Sequence, residues 1–111
     1  MEKVLGDFEQ LVLLSLMRLS RHDGDPYGVS ICDDITARTG RDVSLGAVYK
    51  TLERLEDKGL VTSRYGDPTP VRGGRPKRYF KTRPVAVQAV RQSLARIKTM
   101  TAGLESMLKL P

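Results

Sequence analysis

The first twenty residues of the chain place apolar side chains on nearly every face of a predicted helix. This helix spans residues 5–20, where Leu5 and Phe8 begin a leucine-rich run that leaves little polar surface. A helix that is apolar almost all round is usually buried on several sides. Since the chain has only 111 residues, we expect a second copy of the protein to cover part of this helix, including Leu5 and Phe8.

The hydrophobic pattern predicts two more helices before residue 60. Residues 29–39 form an apolar side and end at Gly40, a common stop signal. The next helix follows Ser44, a favourable N-cap, and ends before Gly59. The predicted buried side of the second helix contains Val29, Ile31, Cys32 and Ile35. The predicted buried stripe of the third contains Leu45, Val48, Leu52 and Leu55.

Helical spacing then gives way to two short predicted strands, residues 60–65 and 77–82. They flank a segment rich in glycine and proline, residues 66–76. This order predicts a β-hairpin. The fold class is therefore mainly α with a small β-hairpin (α+β), and the order of elements is that of a winged helix-turn-helix.

The last predicted helix begins at Pro84, since proline suits a first helical position. Its apolar seam repeats every three or four residues over three heptads, with one polar interruption. The seam contains Val87, Val90, Leu94, Ile97, Thr101, Leu104 and Leu108. About 25 residues of helix span roughly 37 Å, more than so small a core covers. We therefore expect a partner helix and a homodimer, the alternative being packing of the seam on its own domain.

Composition narrows the class of protein. No run of 18 apolar residues occurs in the sequence, and the N-terminal segment contains acidic residues. The single cysteine, Cys32, cannot form an internal disulfide. We therefore expect a cytoplasmic protein without membrane contact. His22 is the only histidine. Without a Ser/His/Asp or Cys/His set, a phosphate-binding glycine loop or a metal-ligand cluster, we expect no catalytic residue, no cofactor and no metal.

The positive charge lies in one part of the sequence. The formal net charge is +6, and residues 41–83 contain eleven Lys and Arg against five Asp and Glu, so the rest of the chain is balanced. The stretch VRGGRPKRYF at residues 71–80 concentrates this charge around a bend. A localised surplus of this kind indicates a polyanionic partner, although a solvated basic surface is the plainer alternative.

Double-stranded DNA fits both the charge and the predicted fold. The third helix would enter the major groove, where Gly46 and Ala47 permit close approach, Lys50 reaches a guanine or a phosphate, and Arg54 reaches a phosphate. The hairpin would supply Arg72, Arg75 and Lys77, with Gly73 and Gly74 removing bulk at the turn. In this interpretation residues 1–83 form the DNA-binding domain and residues 84–111 the dimerisation helix of one compact unit.

Four segments resemble the PadR-like family of transcriptional regulators. They are LGDFEQLVLLSL, PYGVSICDDI, SLGAVYKTLERLEDKGLV and GGRPKRYF. The third is the most specific, and the resemblance covers roughly residues 5–83. It implies a homodimeric winged-helix repressor from bacteria, acting on a palindromic operator, with dimer contacts from the last helix helped by the first. Small aromatic or drug-like effectors often release such proteins from DNA.

Carried onto matching positions, the resemblance implies DNA contacts along the third helix and the hairpin. These contacts fall on Ser44, Gly46, Ala47, Tyr49, Lys50, Arg72, Gly73, Gly74 and Arg75. Tyr27 is a further candidate for a phosphate contact, with a buried turn tyrosine as the alternative.

Two departures from the family pattern, and two alternatives, stay open at this point. The run Lys81-Thr82-Arg83-Pro84 replaces the family's usual junction between the hairpin and the last helix, so the angle of that helix is not predicted. The sequence contains no tryptophan, so the mode of effector binding that uses a tryptophan cannot be carried over. Met100 and Met107 line either an effector pocket between protomers or plain dimer core. The alternative function is a protein-interaction adaptor that does not bind specific DNA, since fold alone does not fix function.

Overall fold

The computed structural model describes residues 4–21, 24–66 and 76–111. Three helices come first. They are α1 (Asp7–Leu19), α2 (Gly28–Thr39) and α3 (Leu45–Asp57). An antiparallel hairpin follows, made of β1 (Val61–Tyr65) and β2 (Arg78–Thr82), and then α4 (Pro84–Thr101) and α5 (Glu105–Leu108). The predicted fold class and the order of elements up to the hairpin are confirmed.

The helices α2 and α3 end at the glycines that were predicted to stop them. Gly40 ends α2 and Gly59 follows α3, both with positive φ, at 69° and 76°. Glycine is favoured there because other residues are strained in the left-handed region. Ser44 caps α3 by accepting a hydrogen bond from the Ala47 N–H at 3.1 Å. The sharp turns let the three short helices pack around one core.

The core is aliphatic with a single fully buried aromatic ring, Phe80. Side chains from all three helices and both strands contribute to it, including Leu13, Ile31, Leu52 and Val61. Two predicted core positions are wrong: Val29 is 43% exposed and Leu45 is 40% exposed. Each lies in the first turn of its helix, where the chain is only beginning to enter the core. In α3 the buried side contains Thr51 instead of Leu45.

The junction before α4 is fixed by Arg83. Its backbone N–H donates to the Leu60 carbonyl at 2.9 Å, and its guanidinium donates to the Gly59 carbonyl at 2.8 Å. Pro84 then opens α4, as predicted. The first turns of α4 bury Ala86, Ala89 and Val90, and small residues here let the helix approach α1 closely.

The last helix is not continuous, so that part of the prediction is wrong. It breaks after Thr101, where Ala102 adopts an extended ψ of 128° and Gly103 has a φ of +88°. A heptad pattern predicts only which side is apolar, whereas glycine in the left-handed region ends the helix.

The chain is more extended than a compact protein of its length. Its radius of gyration is 16.0 Å, against about 13 Å for a compact chain of this length. After Ser93 every residue except Thr101 is exposed, so this part of the chain projects beyond the core, and we call residues 94–111 the arm.

Candidate nucleic-acid interface

The first turns of α3 present a small, open backbone surface. Gly46 and Ala47 are both exposed. A methyl group at Gly46 would meet no atom within 4 Å, so nothing in the described chain requires glycine at this position. Glycine inside a helix lowers stability by about 1 kcal/mol relative to alanine. The fold therefore accepts a local penalty that leaves this part of α3 without a side chain.

The two cations predicted on α3 are both on the surface, with different surroundings. Lys50 is exposed and forms no ion pair with the residues that the structure describes. Arg54 is also exposed, but its guanidinium donates to the Thr51 hydroxyl at 3.3 Å. Arg54 also helps lower the pKa of Glu9 on α1, so it lies on the α1 side of α3. The exposed Glu53 shares this surface and partly offsets its charge.

Tyr49 lies at the edge of the core, as predicted. Its ring packs against Phe80 with centroids 6.4 Å apart. A methyl group at Gly28 would come within 2.5 Å of the Tyr49 ring, so the first residue of α2 must be glycine for the two helices to meet this closely. Tyr49 therefore has a packing function between α2, α3 and β2, beside the DNA contact predicted for it.

A cleft of about 390 Å³ separates the start of α2, α3 and the hairpin. Its walls include three tyrosine side chains, and two cations lie on the hairpin side. They are formed by Tyr27, Val29, Tyr49, Tyr65, Pro76, Lys77 and Arg78. The cleft brings Tyr49 of α3 and Lys77 of the hairpin together, with the candidate Tyr27, whereas Ser44 and Ala47 line a separate pocket beside Phe8.

Tyr27 is half-buried and held on several sides. Its backbone pairs with Tyr79 as an isolated bridge, and the two rings meet edge to face at 6.0 Å. The Lys77 ammonium lies 4.2 Å from the centre of the Tyr27 ring. This arrangement fits the turn-tyrosine alternative while leaving Tyr27 on the wall of the cleft. Lys77 is exposed, whereas Arg72, Gly73, Gly74 and Arg75, together with His22, lie outside the described residues.

The base of the hairpin is joined to α3 by contacts that the sequence did not reveal. The Arg78 guanidinium lies 2.6 Å from one Glu56 oxygen, and the other Glu56 oxygen accepts from the Ser63 hydroxyl at 2.6 Å. Arg78 also donates to Ser63 at 3.2 Å. Glu56 is on the same helix edge as Tyr49, seven residues away, and this spacing is the only signal that could have indicated a side facing the hairpin.

A second ion pair that was not predicted from the sequence holds the start of α1 against the end of α3. Glu9 is buried, and its carboxylate accepts from Lys58 at 2.8 Å and from the Gly6 N–H at 2.9 Å. Burial by itself raises the pKa of Glu9. The Gly6 hydrogen bond and the Lys58 ammonium together outweigh burial and leave the pKa of Glu9 below its usual value. This pair keeps α1 and α3 in register behind the exposed face.

The predicted dimer residues fall into two groups. Val90 is buried in the core of its own chain, and Leu5 and Phe8 are half-buried against that core. The Arg41 guanidinium covers the Phe8 ring at 5.2 Å. The remaining apolar positions of the seam are exposed on α4 and beyond its break, with Thr101 half-buried. The exposed ones are Val87, Leu94, Ile97, Leu104 and Leu108.

Cys32 packs at the edge of the core, where its thiol donates to the Val43 carbonyl at 3.2 Å. Burial, aided by Asp33 and Asp42, raises the pKa of this thiol, which suits a packing role better than a reactive one.

Within the described ranges no group of three possible metal ligands occurs. Within the same ranges no helix is long and apolar enough to cross a membrane.

Comparison with known proteins identifies the family. Residues 14–84, more than half of the chain, match the profile described as "Transcriptional regulator PadR-like family". The chain belongs to the PadR-like family of transcriptional regulators. No curated protein sequence matches the chain.

Solved structures share the fold. A transcriptional regulator from Clostridium thermocellum superposes with a TM-score of 0.69 at 21% identity, covering 88% of this chain and 89% of that one. A PadR family transcription regulator from Clostridium difficile R20291 gives 0.68 at 19%, covering 91% and 98%. Bacillus subtilis PadR, solved in complex with operator DNA, gives 0.63 at 18%, covering 78% and 47%.

Proposed function

We propose that this transcriptional regulator binds duplex DNA as a homodimer and acts as a repressor on a palindromic operator. The observation that carries the proposal is the shared cleft, where the predicted contact residues Tyr49 and Lys77 meet. Residues 1–83 would form the DNA-binding domain and residues 84–111 the dimerisation segment. Support for DNA as the partner comes also from the operator complex of Bacillus subtilis PadR.

The exposed surface of α3 suits a major groove. Ser44 and Ala47 lie at its start, Gly46 allows a sugar-phosphate chain or a base edge to approach, and Lys50 has the reach for a guanine or a phosphate. Arg54, on the α1 side of α3, would contact a phosphate. The hairpin would add Lys77 and, as predictions from sequence alone, Arg72 and Arg75.

The dimer proposal depends on the arm. Leu94 is 47% and Ile97 58% exposed, and a row of such residues on one helix is usually covered by a partner. A small hydrophobic effector would bind between protomers beside Met100, which is exposed in the single chain. A candidate effector would have to weaken DNA binding while leaving the dimer intact in sedimentation. A location in the bacterial cytoplasm belongs to the same proposal.

Fluorescence anisotropy with labelled duplexes from the neighbouring promoter region tests this function. We expect affinity to fall at least about a thousandfold between about 50 and 200 mM salt, because several phosphates are contacted. Changing Arg72→Ala together with Arg75→Ala should weaken binding strongly and leave the sedimentation of the dimer unchanged. Salt-insensitive binding, or no binding to any fragment, would contradict the proposal. DNA binding that survives both changes would remove these two arginines from the interface, whereas binding of a protein partner that survives them would favour the adaptor.

A further inference from the structure

Glu56 presents a puzzle if α3 binds a polyanion. It lies in the last turn of α3, and its side chain is 32% exposed near the cationic cleft. A carboxylate so close to a phosphate backbone weakens binding by repulsion. A residue that opposes the proposed function by charge needs a compensating contribution from its contacts.

Those contacts link three elements in a closed ring. Glu56 on α3 accepts hydrogen bonds from Ser63 on β1 and from Arg78 on β2, and Arg78 also donates to Ser63. The strand register pairs Ser63 with Phe80 and Tyr65 with Arg78. Alternate residues of a strand share a face, so Ser63, Arg78 and the core residue Phe80 all lie on the hairpin face that packs on α3.

Arg78 is held on several sides by these contacts. Besides Glu56 and Ser63, its guanidinium lies 5.1 Å from the centre of the Phe80 ring and 5.9 Å from that of Tyr65. Its side chain is only 23% exposed. Arg78 follows directly after Lys77 and Pro76, the residues that line the cleft from the hairpin. Fixing Arg78, the first residue of β2, therefore fixes the course of the chain from Lys77 into β2.

We propose that Glu56 and Arg78 are positioning residues that set the angle between α3 and the β1–β2 hairpin, so that both elements bind the same duplex. The inference rests on the proposed function and adds a mechanism to it. The pair is partly exposed, and solvent screens part of its attraction, so its effect on folding should be small. Its effect on DNA binding is larger, because a hairpin at the wrong angle loses its phosphate contacts, including that of Lys77, while α3 keeps its own.

The test uses the fact that charge and position predict opposite signs. Glu56→Gln raises the net charge of +6 by one unit, so charge alone predicts tighter binding and a steeper salt dependence. The positioning role predicts binding weaker by about fivefold or more and a salt slope shallower by about one unit, because phosphate contacts are lost. Anisotropy titrations over a range of salt concentrations give both numbers.

Glu53→Gln is the matched control, since Glu53 is on the same helix, is exposed, and has no ion pair with the described residues. It should bind DNA as tightly as the wild type or more tightly.

The double variant Glu56→Gln with Arg78→Gln restores the original net charge. Its affinity for DNA should be no lower than that of the single variant with the lower affinity, because both changes break one network. Additive losses in this cycle would overturn the proposal.

A loss of folding is kept separate from a loss of position. Thermal unfolding and sedimentation of each variant should match the wild type. If Glu56→Gln does not fold, Ser63→Ala removes one hydrogen-bonding hydroxyl of the ring without changing charge, and it should weaken DNA binding about two- to threefold. If wild type binds with the expected salt dependence but Glu56→Gln behaves like Glu53→Gln, the positioning role is wrong and the proposed function stands. Absence of wild-type binding overturns both.

Discussion

The described residues up to Ser93, which we call the body, and the arm differ in where their apolar side chains are covered. In the body, leucines such as Leu13, Leu52 and Leu60 have no exposed surface. In the arm, Leu94 and its neighbours remain about half exposed. Both regions show clear helical periodicity in sequence. The comparison shows that periodicity predicts an apolar face but does not predict whether that face is covered by the same chain or by another.

Shortening one leucine in each region tests most strongly whether the body and the arm differ in how their apolar side chains are covered. Leu52→Ala leaves a cavity in a closed core and should lower the free energy of unfolding by about 2 to 5 kcal/mol. The loss should be the same at every protein concentration. Urea denaturation measures it.

Leu94→Ala removes the same atoms from the arm and is the matched control. In the single chain it should change stability by no more than about 0.5 kcal/mol, and any larger loss should shrink as protein concentration rises, because it acts through the dimer. A large loss for Leu94→Ala that is independent of concentration would mean that the arm folds onto its own body.

A second pair of variants compares two glycines within the body. Gly28→Ala forces a methyl group against the Tyr49 ring at 2.5 Å and should cost about 1 to 3 kcal/mol. Gly46→Ala meets open space and should stabilise α3 by about 0.5 to 1 kcal/mol. Thermal unfolding measures both.

Gly46→Ala should at the same time weaken DNA binding, because its new methyl group lies where the duplex approaches. If Gly46→Ala binds DNA as well as the wild type, the N-terminal turns of α3 do not come close to DNA, and the proposed face is wrong.

The Glu9–Lys58 pair offers a pH test within the body. The pKa of Glu9 is lowered in the folded chain, so its contribution to stability is present above the unfolded value near 4.5. It is lost as pH falls through the folded value. Glu9→Gln should reduce stability at neutral pH by about 1 to 2 kcal/mol.

Comparing the variant with the wild type at several pH values checks the sign. Denaturation at pH 7 should show the full difference, and at strongly acidic pH the difference should narrow. A difference that stays constant or widens on acidification would contradict the assigned direction.

The smallest effect on folding is expected from a charge placed on the arm. Ile97→Lys changes a side chain that is already 58% exposed, so the secondary structure of the body should not change. The dimer should dissociate at least about tenfold more readily, equivalent to about 1.4 kcal/mol. Analytical ultracentrifugation over a concentration series measures this, and an unchanged dimer would remove the arm from the interface.

Local signals explain what could be predicted from the sequence. The N-cap at Ser44, the stops at Gly40 and Gly59 and the two short strand segments each depend on a few neighbouring residues, and all lie within one residue of where they were expected. The break at Gly103 was missed because the heptad pattern continues across it.

Contacts between distant charges could not be predicted. Glu9 and Lys58 are 49 residues apart, and Glu56 and Arg78 are 22 apart. Which charges meet depends on how α1, α3 and the hairpin pack, and no local pattern encodes that packing. The DNA contacts of the individual residues remain predictions for the same reason, since they depend on how the protein docks on a duplex.

The central claim, that α3 and the hairpin form one DNA-binding face, is tested most directly by NMR titration of the labelled dimer with an operator duplex. The account predicts that the amide signals of Gly46, Ala47, Lys50 and Lys77 shift together. Signals from the groove between α1 and α2, which Leu14 and Arg38 line, should stay in place. Shifts confined to α1 and α2, or to α3 without the hairpin, would contradict it.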